Sequence, residues 1–249
     1  MTQLWDDLVG HDAVIAQMRA AVADQDTLAQ SWLITGPAGS GRSLVARAFA
    51  ADLLGGGEDP ESVDRQVRSG THPDLTVLVT ERVLITIDEV RDLVEASYRS
   101  PVNAQWRVII IEDADRMVER TSNVLLKALE EPPPRTIWVL CAPSEADVIP
   151  TIRSRVRAVR LGVPPIDAIA RMLVERDGVD PVVAEQSARH AQSHIGMARR
   201  LATSEDARDR RDRSLRHILA ISAVSEAVFA AGDIVALATE DAKAYTEAR

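Results

Sequence analysis

Short apolar runs alternate with amphipathic stretches through the first two thirds of this chain. Residues 12–24 (DAVIAQMRAAVAD) set Val14, Met18 and Val22 at i, i+4 spacing, which predicts an amphipathic helix. Ser31–Thr35 (SWLIT) reads as a short strand that runs into the glycine-rich turn 36–43 (GPAGSGRS) and then a helix over Leu44–Leu54. Residues 55–72 are polar and glycine-rich and predict a loop or an irregular helical excursion. Strands are expected at 75–79, 107–112, 137–141 and 156–161, and helices at 87–97 and about 114–131. Thr86 and Glu89 have the spacing of a capping box, and Pro132-Pro133-Pro134 stops the helix before them. Strands alternating with helices predict an α/β fold with a parallel sheet covered on both faces.

At Pro164-Pro165 the strands give way to helical patterns near 166–176, 181–191 and 195–203, then to a charged run at 204–217. The expected domains are therefore 1–162, 163–203 and 204–249, with helix pattern still running at the last residue, as in a domain cut short.

With 249 residues, 46% of them hydrophobic, the chain can bury a substantial core. Its 29 basic and 38 acidic residues give a net charge of −9, which argues against coating nucleic acid by bulk electrostatics. The single Cys141 excludes a disulfide framework and a multi-cysteine zinc site. No early apolar run resembles a secretory signal and no string is long enough to span a bilayer, so a cytoplasmic protein without membrane contact is expected. Only Lys127 and Lys243 are lysines, so nearly all positive charge is arginine. The arginines of 208–216 alternate with Asp209 and Asp212 and follow Asp206, a pattern of a solvated, salt-bridged helix. The five histidines show no spacing that predicts a metal site.

Two stretches carry candidate chemistry. Gly36, Gly39 and Gly41, followed by Arg42-Ser43, resemble a phosphate-binding loop between a strand and a helix. Backbone N–H groups of such a loop cradle phosphate oxygens, and Ser43 would ligate magnesium. Arg42 stands where the motif has lysine, and a planar guanidinium does not replace a compact ammonium between two phosphates. The run Val108–Ile111 ends in Glu112-Asp113, the reverse of the usual order of metal-holding and water-polarising acids.

A third stretch, Asn123-Val-Leu-Leu-Lys127-Ala-Leu-Glu130-Glu131-Pro132-Pro133, is similar to a stretch of the clamp-loader subunits of bacterial DNA polymerase III, members of the AAA+ family. Thr151-Ile-Arg-Ser154-Arg155-Val156 resembles their S-R-C motif, with valine for cysteine. Leu8-Val9-Gly10-His11, His72-Pro73-Asp74 and Ile85–Arg91 resemble further stretches of the same family, in order and at family spacing. The resemblance implies an AAA+ P-loop core with a parallel sheet, a small three-helix lid and the start of a helical collar.

Within that family the chain is similar to the stator, a subunit whose nucleotide site has decayed. Arg42, the Glu112-Asp113 order and Ala142-Pro143, where a polar γ-phosphate sensor should fall, all fit this. The resemblance assigns Arg155 as an arginine finger acting in trans on a neighbouring subunit's ATP; without it, Arg153, Arg155 and Arg157 read as a solvated cluster on a strand edge. Gly196-Met-Ala-Arg199 matches the glycine and arginine of the family's second-domain motif, and Arg199 is structural if the local site is empty. No cofactor is expected, weak binding of ATP with magnesium stays open, and the cysteine-free 55–70 stretch predicts no zinc. The implied partners are ATPase-type gamma/tau and delta subunits, with the sliding clamp and primer-template DNA reached through the complex. The collar drives assembly in this family, so this stretch is expected to be monomeric alone. Two rival readings are an active clamp-loader ATPase that tolerates Arg42 and a P-loop kinase of small molecules.

Overall fold

The computed structural model describes residues 3–24, 28–56, 59–80, 82–221 and 224–247, and the chain divides into two compact units, 1–168 and 169–249. The first unit is built on five parallel strands, β1 (Ser31–Thr35), β2 (Leu75–Leu78), β3 (Arg107–Ile111), β4 (Thr136–Ala142) and β5 (Arg157–Arg160), in the order β2-β3-β4-β1-β5. The three inner strands are buried along their whole length, which is why they read as unbroken apolar runs.

Burial on both faces divides each run into two sets. Trp32, Ile34, Val108, Ile110, Val139 and Cys141 point into one layer, where helices α1 (Asp12–Ala23), α2 (Arg42–Leu54) and α3 (Pro60–Ser69) supply Met18, Phe49, Val63 and Val67. Leu33, Ile109, Ile111, Trp138 and Leu140 point into the other, against Val90 and Leu93 of α4 (Ile87–Ser97) and Leu125 and Leu129 of α5 (Glu119–Glu130). The 3-10 turn Gln3–Asp7 closes the first layer: Leu4 and Trp5 are buried, and Trp5 Nε1 donates to Asp52 Oδ2 at 2.7 Å.

Two expectations need correction. Residues 60–69 form a regular helix, because Asp59 caps it by accepting from Ser62 N, Pro60 suits its first turn, and Gly70 ends it at φ +68°. Val63 and Val67, four residues apart, give it a buried stripe in an otherwise polar segment. The helix expected over 114–131 starts only at Glu119, since Ala114–Arg116 is a 3-10 turn and Met117 and Val118 are extended. That break is held from outside: Arg116 Nη1 donates to the carbonyls of Thr80 and Arg82, and Ile85 N donates to the Arg116 carbonyl. The capping box on α4 forms as expected, with Thr86 N donating to Glu89 Oε2 at 2.8 Å and Glu89 N to Thr86 Oγ1 at 3.3 Å. Hydrogen bonding from Thr86 holds the Glu89 carboxyl below its ordinary pKa.

The second unit is helical: α7 (Ile166–Asp177, which begins just before the division), α8 (Pro181–His190), α9 (Ile195–Thr203), α10 (Glu205–Leu219) and α11 (Val224–Glu247). His194 is the N-cap of α9, its Nδ1 accepting from Met197 N at 3.2 Å. Ser204 caps α10, its side chain accepting from Ala207 N, and α9, α10 and α11 lie in the same unit. The charged run does pair within α10 (Arg211–Asp212, Arg216–Asp209), but Arg210 and Arg200 both turn to Asp241 of α11, at 2.9 and 2.6 Å. No helix among the described residues is long and apolar enough to cross a membrane.

His72-Pro73-Asp74 has a structural explanation. The Asp74 side chain, fully buried, accepts from the backbone N–H groups of Val102, Asn103 and Ala104 at 2.6–2.8 Å and faces Arg107 at 3.4 Å, tying the loop before β3 to the end of β2's approach. Burial opposes ionisation, but the three N–H donors and the guanidinium outweigh it and hold the carboxyl below its ordinary pKa. Asp74→Ala, which leaves the buried Arg107 charge without its carboxylate and three N–H groups without their acceptor, is expected to cost about 3–5 kcal/mol in urea unfolding. Because the native pKa is the lower one, this contribution is complete above the unfolded-state value and fades as pH falls towards the native one. The gap between wild type and Asp74→Asn should therefore shrink below about pH 4.

Candidate functional site

The loop 36–41 leaves the carboxyl end of β1 and enters α2, the position at which open parallel sheets bind ligands. Glycine is required at its turning points. Gly39 and Gly41 have φ of +76° and +95°, and a Cβ on Gly36 would lie 2.6 Å from Ser40 Oγ and 2.9 Å from Leu161 Cβ. Buried His11 braces the loop from the opposite side, its Nε2 donating to the Ser40 carbonyl at 2.8 Å.

The side chains around the loop bond mainly to one another. Arg42 Nη1 turns back onto the Gly36 carbonyl. Ser43 Oγ donates to Glu112 Oε2 at 3.0 Å, and Arg47 Nη2 reaches Glu112 Oε1 at 2.7 Å while its Nη1 donates to the Val67 carbonyl. Both oxygens of Glu112 are thus engaged within the chain. Asp113 faces Arg116 at 3.7 Å. At the end of β4, Pro143 presents its carbonyl to Gly36 N, and neither Ala142 nor Pro143 has a side-chain donor. Behind the loop, burial and then the nearby Glu112 charge push the Cys141 thiol well above its ordinary pKa, so it is an inert core group. Among the described residues no three His, Cys, Asp or Glu side chains gather as a metal-ligand set.

Gly36, Gly39, Gly41, Arg42, Ser43, Glu112 and Asp113 therefore meet at one end of the sheet. The backbone cradle suits a phosphate chain, and Ser43 with Glu112 is the pair that would hold magnesium. Arg42 stands where a P-loop has lysine, and Ala142 and Pro143 offer no side-chain donor at the end of β4.

Arg155 lies elsewhere. It follows the short helix α6 (Pro150–Arg153) and precedes β5, where Arg157 pairs with Trp32 of β1. It is half-exposed, with Nε and Nη2 on Glu130 Oε1 at 2.7 and 2.5 Å and Nη1 on the Thr151 carbonyl and Ser154 Oγ at 2.7 and 3.0 Å. Arg199, in the second unit, pairs with Asp177 of α7 at 2.5 Å, an ion pair that ties α9 to α7.

The partners His11, Arg47 and Glu130 had no assigned role in the sequence reading. Arg47 was the most accessible of them, since it sits four residues after Ser43 and so on the same helix face.

A glycine loop at the carboxyl end of an inner strand in a two-faced parallel sheet, leading into a helix, has the architecture of a P-loop protein. Similar solved structures agree: a DNA polymerase III gamma subunit-related protein of Thermotoga maritima (TM-score 0.54, 21% identity, 84% of this chain and 67% of that one) and RuvB of Thermotoga maritima (TM-score 0.58, 16% identity, 82% and 62%). The family model described as DNA polymerase III, delta subunit, matches residues 10–164, and the chain belongs to that family. Among curated relatives, the delta' subunit of Pseudomonas aeruginosa is 35% identical over 51% of this chain and that of Bacillus subtilis 31% over 65%. The gamma/tau subunit of Mycobacterium tuberculosis is 29% identical over 70% of this chain and 32% of its own length. The chain spans 41% and 50% of the two delta' relatives.

Gly41→Ala is expected to destabilise the first unit by about 1–2 kcal/mol, the cost of a left-handed backbone for a residue with a Cβ. Leu8 Cδ2, 3.0 Å from that Cβ, adds crowding. A lower denaturant midpoint at unchanged slope would register it.

Proposed function

We propose that this chain is the non-hydrolysing stator of a DNA polymerase III clamp loader in bacterial DNA replication, and that Arg155 completes the ATP site of a neighbouring ATPase subunit. One observation carries the reading. Arg155 lies two residues before Arg157, the first residue of β5, which pairs with Trp32 of β1, so it stands at the amino end of the parallel sheet. Gly36 follows the carboxyl end of β1, four residues beyond Trp32, a rise of about 13 Å at 3.3 Å per residue. An arginine that is half-exposed at the end of the sheet opposite its own phosphate loop is placed to serve a nucleotide held by another chain.

In that role the guanidinium stabilises charge developing on the phosphoryl group in transfer. Arg42, folded onto its own loop carbonyl, and the donor-free end of β4 support a local site that does not hydrolyse ATP. Gamma/tau-type and delta subunits are the proposed partners in the cytoplasm, with the sliding clamp and primer-template DNA engaged through the assembled complex. A second reading, an ATP-hydrolysing subunit, draws on the Ser43–Glu112 contact, a geometry that can hold magnesium.

Two measurements test the proposal. In a complex whose only hydrolysis-competent site is the neighbouring one, Arg155→Ala is expected to lower turnover about 10³-fold or more; an unchanged rate would sink the finger. Calorimetry with ATP and magnesium is expected to give no binding with the isolated chain, whereas micromolar binding would favour the ATPase reading. Binding by Arg42→Lys alone would identify Arg42 as the lesion.

A further inference from the structure

We infer that Glu130 is the positioning residue for Arg155, an assignment that rests on the trans-acting reading of that arginine. Glu130 is the last residue of α5, and Glu131 N still donates to the Lys127 carbonyl before the prolines end the helix. Arg155 is fixed from the other side. Ile152 of α6 is buried, Arg155 N donates to the Ile152 carbonyl at 2.9 Å, and Ser154 Oγ donates to the Thr151 carbonyl at 3.0 Å. Both partners are therefore carried by anchored backbone.

The guanidinium has five N–H donors. Nε and one Nη2 hydrogen meet Glu130 Oε1, and Nη1 meets the Thr151 carbonyl and Ser154 Oγ. One Nη2 hydrogen stays available to a further acceptor. Glu130 thus grips the side chain along its Nε–Nη2 edge, fixes the plane of the fork and leaves its outer corner presented.

Stability does not account for this arrangement. The Arg155 and Glu130 side chains are 33% and 45% exposed, and an ion pair that open adds little to folding. What four contacts on one exposed guanidinium do supply is a single orientation, and a long arginine otherwise loses much rotamer freedom when it engages a phosphate. Preorganisation of this kind acts on the transition state rather than on nucleotide affinity. The assignment also joins two sequence stretches about 25 residues apart, Glu130-Glu131-Pro-Pro and Ser154-Arg155, in one device.

The test uses the assembled complex with the neighbouring site as the only competent one. Glu130→Ala is expected to lower kcat about tenfold with KM and thermal midpoint unchanged. Glu130→Gln, which keeps an acceptor and the side-chain shape, is expected to lose less. The double variant Glu130→Ala/Arg155→Ala should be no slower than Arg155→Ala alone, since the two act as one unit. A wild-type or raised rate in Glu130→Ala, beside a depressed rate in Arg155→Ala, would overturn the positioning role alone. An equal fall in the double variant on top of Arg155→Ala would do the same. No effect of Arg155→Ala would overturn the finger reading and this assignment with it.

Discussion

Every strand of the first unit points the same way, and that single constraint sorts its chemistry. A parallel sheet has two unlike ends, with loops into helices at one and returns from helices at the other. The glycine loop and Glu112 follow strands, so they share the carboxyl end. Glu130 and Arg155 precede strands, so they share the amino end. Separation of the two clusters is thus built into the topology, and neither cluster could migrate to the other without reversing a strand.

Within each unit, arginines do the organising. Arg47 and Ser43 share Glu112, Arg107 closes the Asp74 cage, Arg155 is clasped by Glu130, and Arg200 and Arg210 converge on Asp241. The planar fork makes these multi-centre contacts in a way a lysine ammonium does not. In the glycine loop, Arg42 turns onto the Gly36 carbonyl.

Much of the layout was legible in the residues. The apolar strings, the Thr86/Glu89 box, the three prolines and the glycine loop each state a local rule, and the elements follow them. The two misreadings have a common cause. Helix 60–69 was hidden because its apolar stripe is only Val63 and Val67 in polar surroundings, and packing against α2's layer stabilises it. The break before Glu119 was hidden because Arg116 satisfies carbonyls of the 80–82 segment, over thirty residues away. Which face each residue of an unbroken run such as Val108–Ile111 takes was also beyond reach, because alternation is invisible when both faces are apolar.

Sequence by itself pointed to the class of protein: the glycine loop between a strand and a helix marked the P-loop core, and the resemblance of its other stretches marked the family. Those are properties of residues close in the chain, where local sterics and hydrogen bonding suffice. Tertiary structure alone decided which charges meet. Arg155 finds Glu130, Glu112 finds Ser43 and Arg47, and Asp241 finds two arginines, because strand order and helix packing bring together groups 25 to 69 residues apart.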